Sequence, residues 1–421
     1  LDRRDGMQNA TRVFLFFSFG YFVSYLYRGI NIGFAPFLTA EVGLSAGDLG
    51  MLTSLYFLGF ALAQIPAGAA LDTWGPRRVN AAFMLMAAVG AIVFGLSDTL
   101  SGLMAGRLLI GIGVSVCLGA AFQAMAFTFP THRLPMVNGA LVAIGGLGGA
   151  VVGTPLALLL GVISWQVTSY LVALLTVVVA GLLYFCSSDV GPGRVPGKAR
   201  PGLVSQFLGT WELAKTSLFW QIVLFPSTAS GVFYGVQSLW MKPYLLDVKA
   251  LPLSTVDGLV SMLGFAAVIG SIVSGIAARR IEKMGISLYH LVGVFSGCFM
   301  LVQLMILLDA PVPRVVLWAS YGFLGGTNIL IYAVLVETFP RYMLGRVGTT
   351  FNMLVFFLIF FFQNVIGWVV ELWEPVATGV YPAIAHMTAW YLLLGLQALT
   401  AVWFFASKAP RPLDDPHARQ A

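Results

Sequence analysis

Arg28 is the residue in this chain best equipped to hold a ligand. A guanidinium is a permanent cation with five N–H donors, and here it stands inside a greasy stretch, SYLYRGINIGFAP, from Ser24 to Pro36. Tyr21, Tyr25, Arg28 and Asn31 or Ile32 recur at i, i+4, i+7 and i+10 or i+11, one face of a helix. At 1.5 Å per residue Arg28 lies about 24 Å along that helix from Arg12, too deep to snorkel to an interface. A charge at the middle of an apolar helix costs about 2.5–3.5 kcal/mol on insertion scales, so it ordinarily meets a partner or a wet cavity. Two readings are open: a structural arginine satisfied by carbonyls or an acid of another segment, and an anchor for a bound anion. The acids Asp48, Asp72, Asp98, Glu337 and Glu371 all stand near the ends of apolar runs. The second reading is therefore preferred, with a substrate supplying the missing charge.

Other polar residues interrupt the apolar runs. Tyr234, Gln237 and Trp240 follow at i, i+3 and i+6, and Gln123, Asn328 and Tyr332 fall in two further runs. Each of the last three reads equally as a substrate contact or as hydrogen-bonding glue between helices. Lys242 either draws anions to a mouth or snorkels to an interface, and Arg107 reaches the outer surface or Asp98. The histidines His132, His290, His386 and His417 have no ligand spacing, and Cys117, Cys186 and Cys298 are far apart in apolar surroundings. No metal, cofactor or disulfide frame is expected. No nucleophile–base pair or phosphate loop is present, so an enzyme is not expected either.

The elements that must position these residues are transmembrane helices. Of the 421 residues 59% are hydrophobic and only 10% charged, against about 25% charged in soluble domains; the mean hydropathy is +0.89. Apolar runs long enough to span a bilayer fall at about 12–39, 48–71, 79–97, 101–128, 135–159 and 164–186, then 217–246, 256–278, 286–308, 313–338, 347–370 and 385–406. The first run exceeds a signal-peptide core and lacks a small-residue cleavage site, so it is expected to be retained. A Gly/Pro-rich charged segment at 187–216 divides 1–186 from 217–421. With the N-terminus inside, 18 of the 23 lysines and arginines fall on one side and only Lys249 and Arg314 on the other. The positive-inside rule then puts both termini and the linker in the cytoplasm. The basic balance reflects topology, and no nucleic-acid partner is implied.

The halves repeat. A shift of 210 residues carries Asp72 onto Glu282, Gly75 onto Gly285, and the TFP of Thr128–Pro130 onto that of Thr338–Pro340. Gly68-x-x-Leu71-Asp72-x-x-Gly75-Pro76-Arg77-Arg78 resembles the loop 2–3 signature of the major facilitator superfamily. Leu103-x-x-x-Arg107-x-x-x-Gly111-x-Gly113 is similar to that superfamily's span-four motif. The resemblance implies an all-α membrane protein of twelve transmembrane helices, two pseudo-symmetric six-helix bundles around a central cavity, working by rocker-switch alternating access. It also implies gating roles for Gly68, Asp72, Gly75, Arg77, Arg78, Glu282 and Arg107. Physically, Gly75 permits a tight turn, and Arg77 and Arg78 can reach acids or helix C-terminal carbonyls. The second loop lacks the basic pair, having Ile286 and Ser287 after Gly285.

YLYRGINIGFAP also resembles the first span of the organophosphate:phosphate antiporters, with Tyr25, Arg28 and Pro36 at matching positions. That family's second arginine, in span seven, is absent from SGVFYGVQSLWMKPYL, which argues for a less charged anion. IGGLGGAVVGTP in span five is faintly similar to the nitrate porter signature, but arginines in spans two and eight are missing; Thr154 interrupts the Gly-Pro pair of drug exporters. The expectation is a secondary transporter of a small organic anion, a carboxylate or phosphorylated compound. It is a monomer in the bacterial inner membrane, driven by a proton (with Glu337 as one candidate carrier) or by a counter-anion. The alternatives are a multidrug or lipophilic-compound exporter, which would want a mid-membrane carboxylate, and a membrane sensor, which would want a larger docking segment.

Overall fold

In a computed structural model the chain is described over residues 2–130, 133–187, 203–340 and 343–410. By length and composition, eleven described helices can cross a membrane. Spans one to four are Gln8–Val42, Ala46–Trp74, Pro76–Leu96 and Leu100–Thr128, and span six is Trp165–Cys186. Spans seven to twelve are Ser217–Val248, Leu253–Ala278, Leu288–Leu307, Arg314–Thr338, Arg346–Val370 and Ala383–Ala406. Span five is a broken pair, Met136–Val151 and Thr154–Leu160, bent by 44°. With it the expected twelve are complete.

Local chemistry sets the ends. Ser45 and Asp48 form a capping box at the start of span two, and Ser164 accepts from the Val167 N–H at the start of span six, satisfying donors a helix leaves open. Gly75 closes span two at φ +81°, a region closed to most L side chains, and its repeat mate Gly285 does the same after span eight at φ +77°.

The packing repeats as the sequence does. Spans one and five, two and four, and three and six pair in the first half; seven and eleven, eight and ten, and nine and twelve pair in the second. Glycines let these backbones touch: a Cβ on Gly111 would lie 2.0 Å from the Tyr56 carbonyl oxygen, and one on Gly326 2.0 Å from that of Ala267. The halves meet where span two packs on eleven and span five on eight, two contacts that the internal two-fold exchanges.

The linker is more than a tether. Its second part, Leu203–Ala214, is a helix that packs against spans two and eleven, with the Gly209 backbone beside the Arg346 side chain. Phe207, Leu208 and Trp211 stay exposed along it. We call the side that carries this helix and the turn at Gly75 the near face, and the opposite side the far face.

Candidate functional site

At the centre, between the halves, lies a cavity of about 730 Å³, within the range of small-molecule sites. Spans one, four and five line one wall and spans seven, eight and ten, with the start of span nine, the other. It runs toward the near face, where Asn138, Ala278, Leu288 and Glu337 border it, and its deep end holds Tyr25, Tyr234 and Gln237.

The far face is shut by bonds between the halves. Asn364 Nδ2 donates to Ser54 Oγ (2.6 Å), the Ala46 N–H to Tyr381 Oη (3.3 Å) and the Thr154 N–H to Ser261 Oγ (2.8 Å). The last bond uses a backbone donor freed by the break in span five. On the near side spans two and eleven also hold together, Phe60 stacking on Phe356 at 3.8 Å and Asn352 Nδ2 donating to Gln64 Oε1 at 3.3 Å.

Arg28 sits just behind the deep end, 7% exposed. Its Cζ lies 4.3 Å from the Tyr25 ring centroid, 5.1 Å from Tyr234 and 5.2 Å from Phe356. Two of these rings line the cavity, so they form the wall between it and the cation. Nε is buried with no hydrogen-bond partner, and no described carboxylate pairs with the guanidinium. Ring quadrupoles stabilise a cation without cancelling its charge.

The other expected site residues divide. Tyr332 joins Tyr25, Tyr234 and Gln237 on the lining, its hydroxyl donating to Asn352 Oδ1 at 3.3 Å. Asn31 lies elsewhere: it faces the first bundle, where its Nδ2 donates to Thr53 Oγ1 at 3.0 Å. Trp240 is also off the lining; π-helical turns at Val236–Trp240 advance the side-chain phase, and its Nε1 donates to the Gln363 carbonyl across 3.2 Å. There its ring contacts Gly50 and Gly367, where the halves close. Gln123 and Asn328 are not lining residues; Phe122 and Ile329 beside them are.

Of the gating set, Arg77 Nη1 donates to the Tyr184 and Ser187 carbonyls, each at 3.3 Å, clamping span three to the end of span six. Asp72 and Arg78 are exposed and Gly68 is half-buried. The side chain of Glu282 lies outside the described residues. Arg107 reaches neither the outer surface nor Asp98: it is 1% exposed, donates to the Tyr27 carbonyl at 3.1 Å and lies 5.3 Å from the Tyr56 ring. It therefore ties span four to span one.

Lys242 neither snorkels nor faces a mouth. It is buried against Asp257, Nζ to Oδ1 2.8 Å. His386, which has no ligand spacing in the sequence, stands with Nε2 2.9 Å from Asp247 Oδ2; Asp247 accepts from the Tyr381 N–H as well (3.2 Å), the residue that meets Ala46. Phe356 was missed. An unbroken apolar run such as NMLVFFLIFFFQN carries no mark of which phenylalanine meets a cation.

The Major Facilitator Superfamily profile matches residues 17–363. The chain belongs to the major facilitator superfamily. It is accordingly a multi-pass membrane transporter, not an enzyme. This facilitator is 22% identical over 350 residues, 79% of the chain and 80% of the relative, to the probable sulfoacetate transporter SauU of Cupriavidus necator. It is 23% identical over 353 residues to the hexuronate transporter of Bacillus subtilis, covering 80% and 82%. Its fold matches that of a bacterial homolog of the human lysosomal transporter Spinster, in an inward-facing and unoccupied conformation, with a TM-score of 0.72 over 94% of this chain and 96% of that one at 16% identity.

Proposed function

We propose that this facilitator moves a small organic anion by alternating access and that Arg28 anchors the anion's charge. The observation that carries the reading is a buried guanidinium that no described carboxylate pairs, packed against aromatic rings of which two wall the central cavity. Two relatives named for organic anions, sulfoacetate and hexuronate, support it. The shut far face and the cavity toward the near face correspond to one end state of the cycle. With the near face cytoplasmic, as the positive-inside distribution favours, that state is inward-open. The chain then belongs in the plasma membrane, with both termini in the cytoplasm.

In this scheme Tyr25 and Tyr234 swing from the cation as the anion arrives, Gln237 and Tyr332 orient the remainder, and Arg77 and Arg78 stabilise the near-face loop. Removing one member of a buried, hydrogen-bonded charge pair costs about 2–5 kcal/mol, roughly a 30- to 5000-fold loss. Arg28→Ala in proteoliposomes is therefore expected to abolish organic-anion uptake while the protein inserts and elutes as the wild type does. Wild-type uptake by that variant would remove Arg28 from the site.

A further inference from the structure

We infer that the anion taken by this cavity is a monoanion with an apolar body, an aliphatic or aryl carboxylate or sulfonate, and not a dianion or a polyhydroxylated acid. The inference rests on the reading of Arg28 as the charge anchor.

The charge count comes first. No described lysine or arginine lines the cavity, and Arg28 alone stands directly behind its wall. The second buried guanidinium, Arg107, is committed to the Tyr27 carbonyl and lies against Tyr56 inside the first bundle. Lys242 is held by Asp257. Among the described residues one cation is thus in reach of the deep end, enough for one negative group and not for two, since an unpaired charge taken from water is costly.

The distribution of polarity comes second. Tyr25, Tyr234 and Gln237 gather at the deep end, beside the cation, and Asn138 and Glu337 at the other. Between them the wall is a belt of Val142, Val268, Ile272, Ile329, Leu330 and Ala333. The polar groups in this belt are already engaged: Ser271 Oγ donates to the Ala267 and Gly326 carbonyls (3.0 and 2.9 Å), and Tyr332 Oη to Asn352. Hydroxyls on the body of a ligand would lose water there and find little in exchange. Methylenes or a ring would lose only unfavourable hydration.

Length and width agree. The lining of span eight extends from Gly264 to Ala278, about 21 Å at 1.5 Å per residue. Gly139 and Gly275 sit on the wall where an added Cβ would meet nothing within 4 Å. Those glycines leave width for the body, and a larger side chain at either position fills it without forcing the backbone.

The test is isothermal titration of the protein in lipid nanodiscs with straight-chain carboxylates from propanoate to octanoate. Length-matched primary amides control for partition into lipid, and glucuronate and succinate serve as the polar and doubly charged competitors. Affinity is expected to rise about fourfold per methylene, the equivalent of about 0.8 kcal/mol per buried CH₂. Amides are expected to bind at least roughly 30-fold more weakly, and Arg28→Gln to bring carboxylates down to amide level. Gly275→Leu is expected to penalise octanoate more than propanoate. Arg28-dependent binding that is flat with length, or tighter for glucuronate or succinate than for octanoate, overturns this inference and leaves the anion reading standing. Equal binding of amides and carboxylates, or no binding of any probe, removes the anion reading and the inference with it.

Discussion

Replacing Lys242 by methionine is expected to damage the protein more than replacing Lys242 and Asp257 together. The two charged groups lie 2.8 Å apart with side chains 7% and 8% exposed. At an effective dielectric constant of 20 their attraction is about 6 kcal/mol, and desolvation of the two ions, several kcal/mol each, offsets most of it. The intact pair is close to neutral for stability. Lys242→Met leaves Asp257 buried without its cation, which costs about 3–5 kcal/mol, a fall of roughly a thousandfold in the folded-to-unfolded ratio. Lys242→Met with Asp257→Leu removes both charges and is expected to lie within about 1 kcal/mol of wild type or above it. Thermal unfolding followed by fluorescence-detected size exclusion would place the single variant on the order of 10 °C below the other two. The gap is expected to persist in 1 M salt, where exposed pairs are screened within about 3 Å. A single variant as stable as the double, or a gap that salt erases, would show that the pair is solvated and the burial argument wrong. If Lys242 instead gathers anions at a mouth, the double variant would show a raised KM for uptake; we expect an unchanged one.

Three further outcomes follow from the geometry. Glu337, a carboxylate on the cavity wall, is expected to carry the coupling proton, so Glu337→Gln should stop uptake driven by a pH gradient while anion exchange persists in counterflow assays. Gly75→Ala places a Cβ at φ +81°, ψ 162°, a conformation open essentially to glycine alone; it is expected to lower stability by about 1–3 kcal/mol, read as a reduced melting temperature. Asn364→Ala combined with Tyr381→Phe removes two of the far-face bonds between the halves. That variant is expected to expose a cysteine placed at Leu49, a buried position near the far end of span two, to membrane-impermeant maleimide several-fold faster than in the otherwise wild-type background.

The fold was legible because lipid imposes one rule on every span. Backbone groups must be satisfied internally, so long apolar runs can only be helices, and the charges at their ends count them. The 210-residue offset was legible because turn chemistry repeats: Gly75 and Gly285 both adopt positive φ. Span five reads as one run, 135–159, and its 44° bend after Val151 was not legible there. The site was legible only where helical phase is unbroken. Tyr25 and Arg28 keep their spacing, but Asn31 faces Thr53 in the first bundle and the π-turn carries Trp240 to the seal. A residue count assumes 3.6 per turn, and the π-turn violates it. Partners were the least legible part. Lys242 finds Asp257 15 residues on, His386 finds Asp247 139 residues back, and Arg107 finds Tyr27 across 80. Periodicity within one helix contains no term for such pairings.

The way Arg28 is held bears on how it can work. A carboxylate from the protein would settle the charge for good, and a carried anion would have to displace it at about 2–5 kcal/mol. Three rings hold the cation instead, at roughly 0.5–2 kcal/mol each, and Tyr25 and Tyr234 come from opposite halves of the molecule. An arriving anion therefore competes with contacts that are individually weak and that bridge the two bundles. Displacing the Tyr234 ring from Arg28 loosens a contact between spans one and seven. On the proposed reading, an anion that occupies the cation would also be the agent that changes the balance between the halves, provided it binds the two end states unequally. Tyr234→Phe, which keeps the ring, is expected to preserve transport; Tyr234→Ala removes the bridge and is expected to permit anion binding while uncoupling it from the change in accessibility. Equal transport by the two variants would show that the ring contact plays no part in the switch.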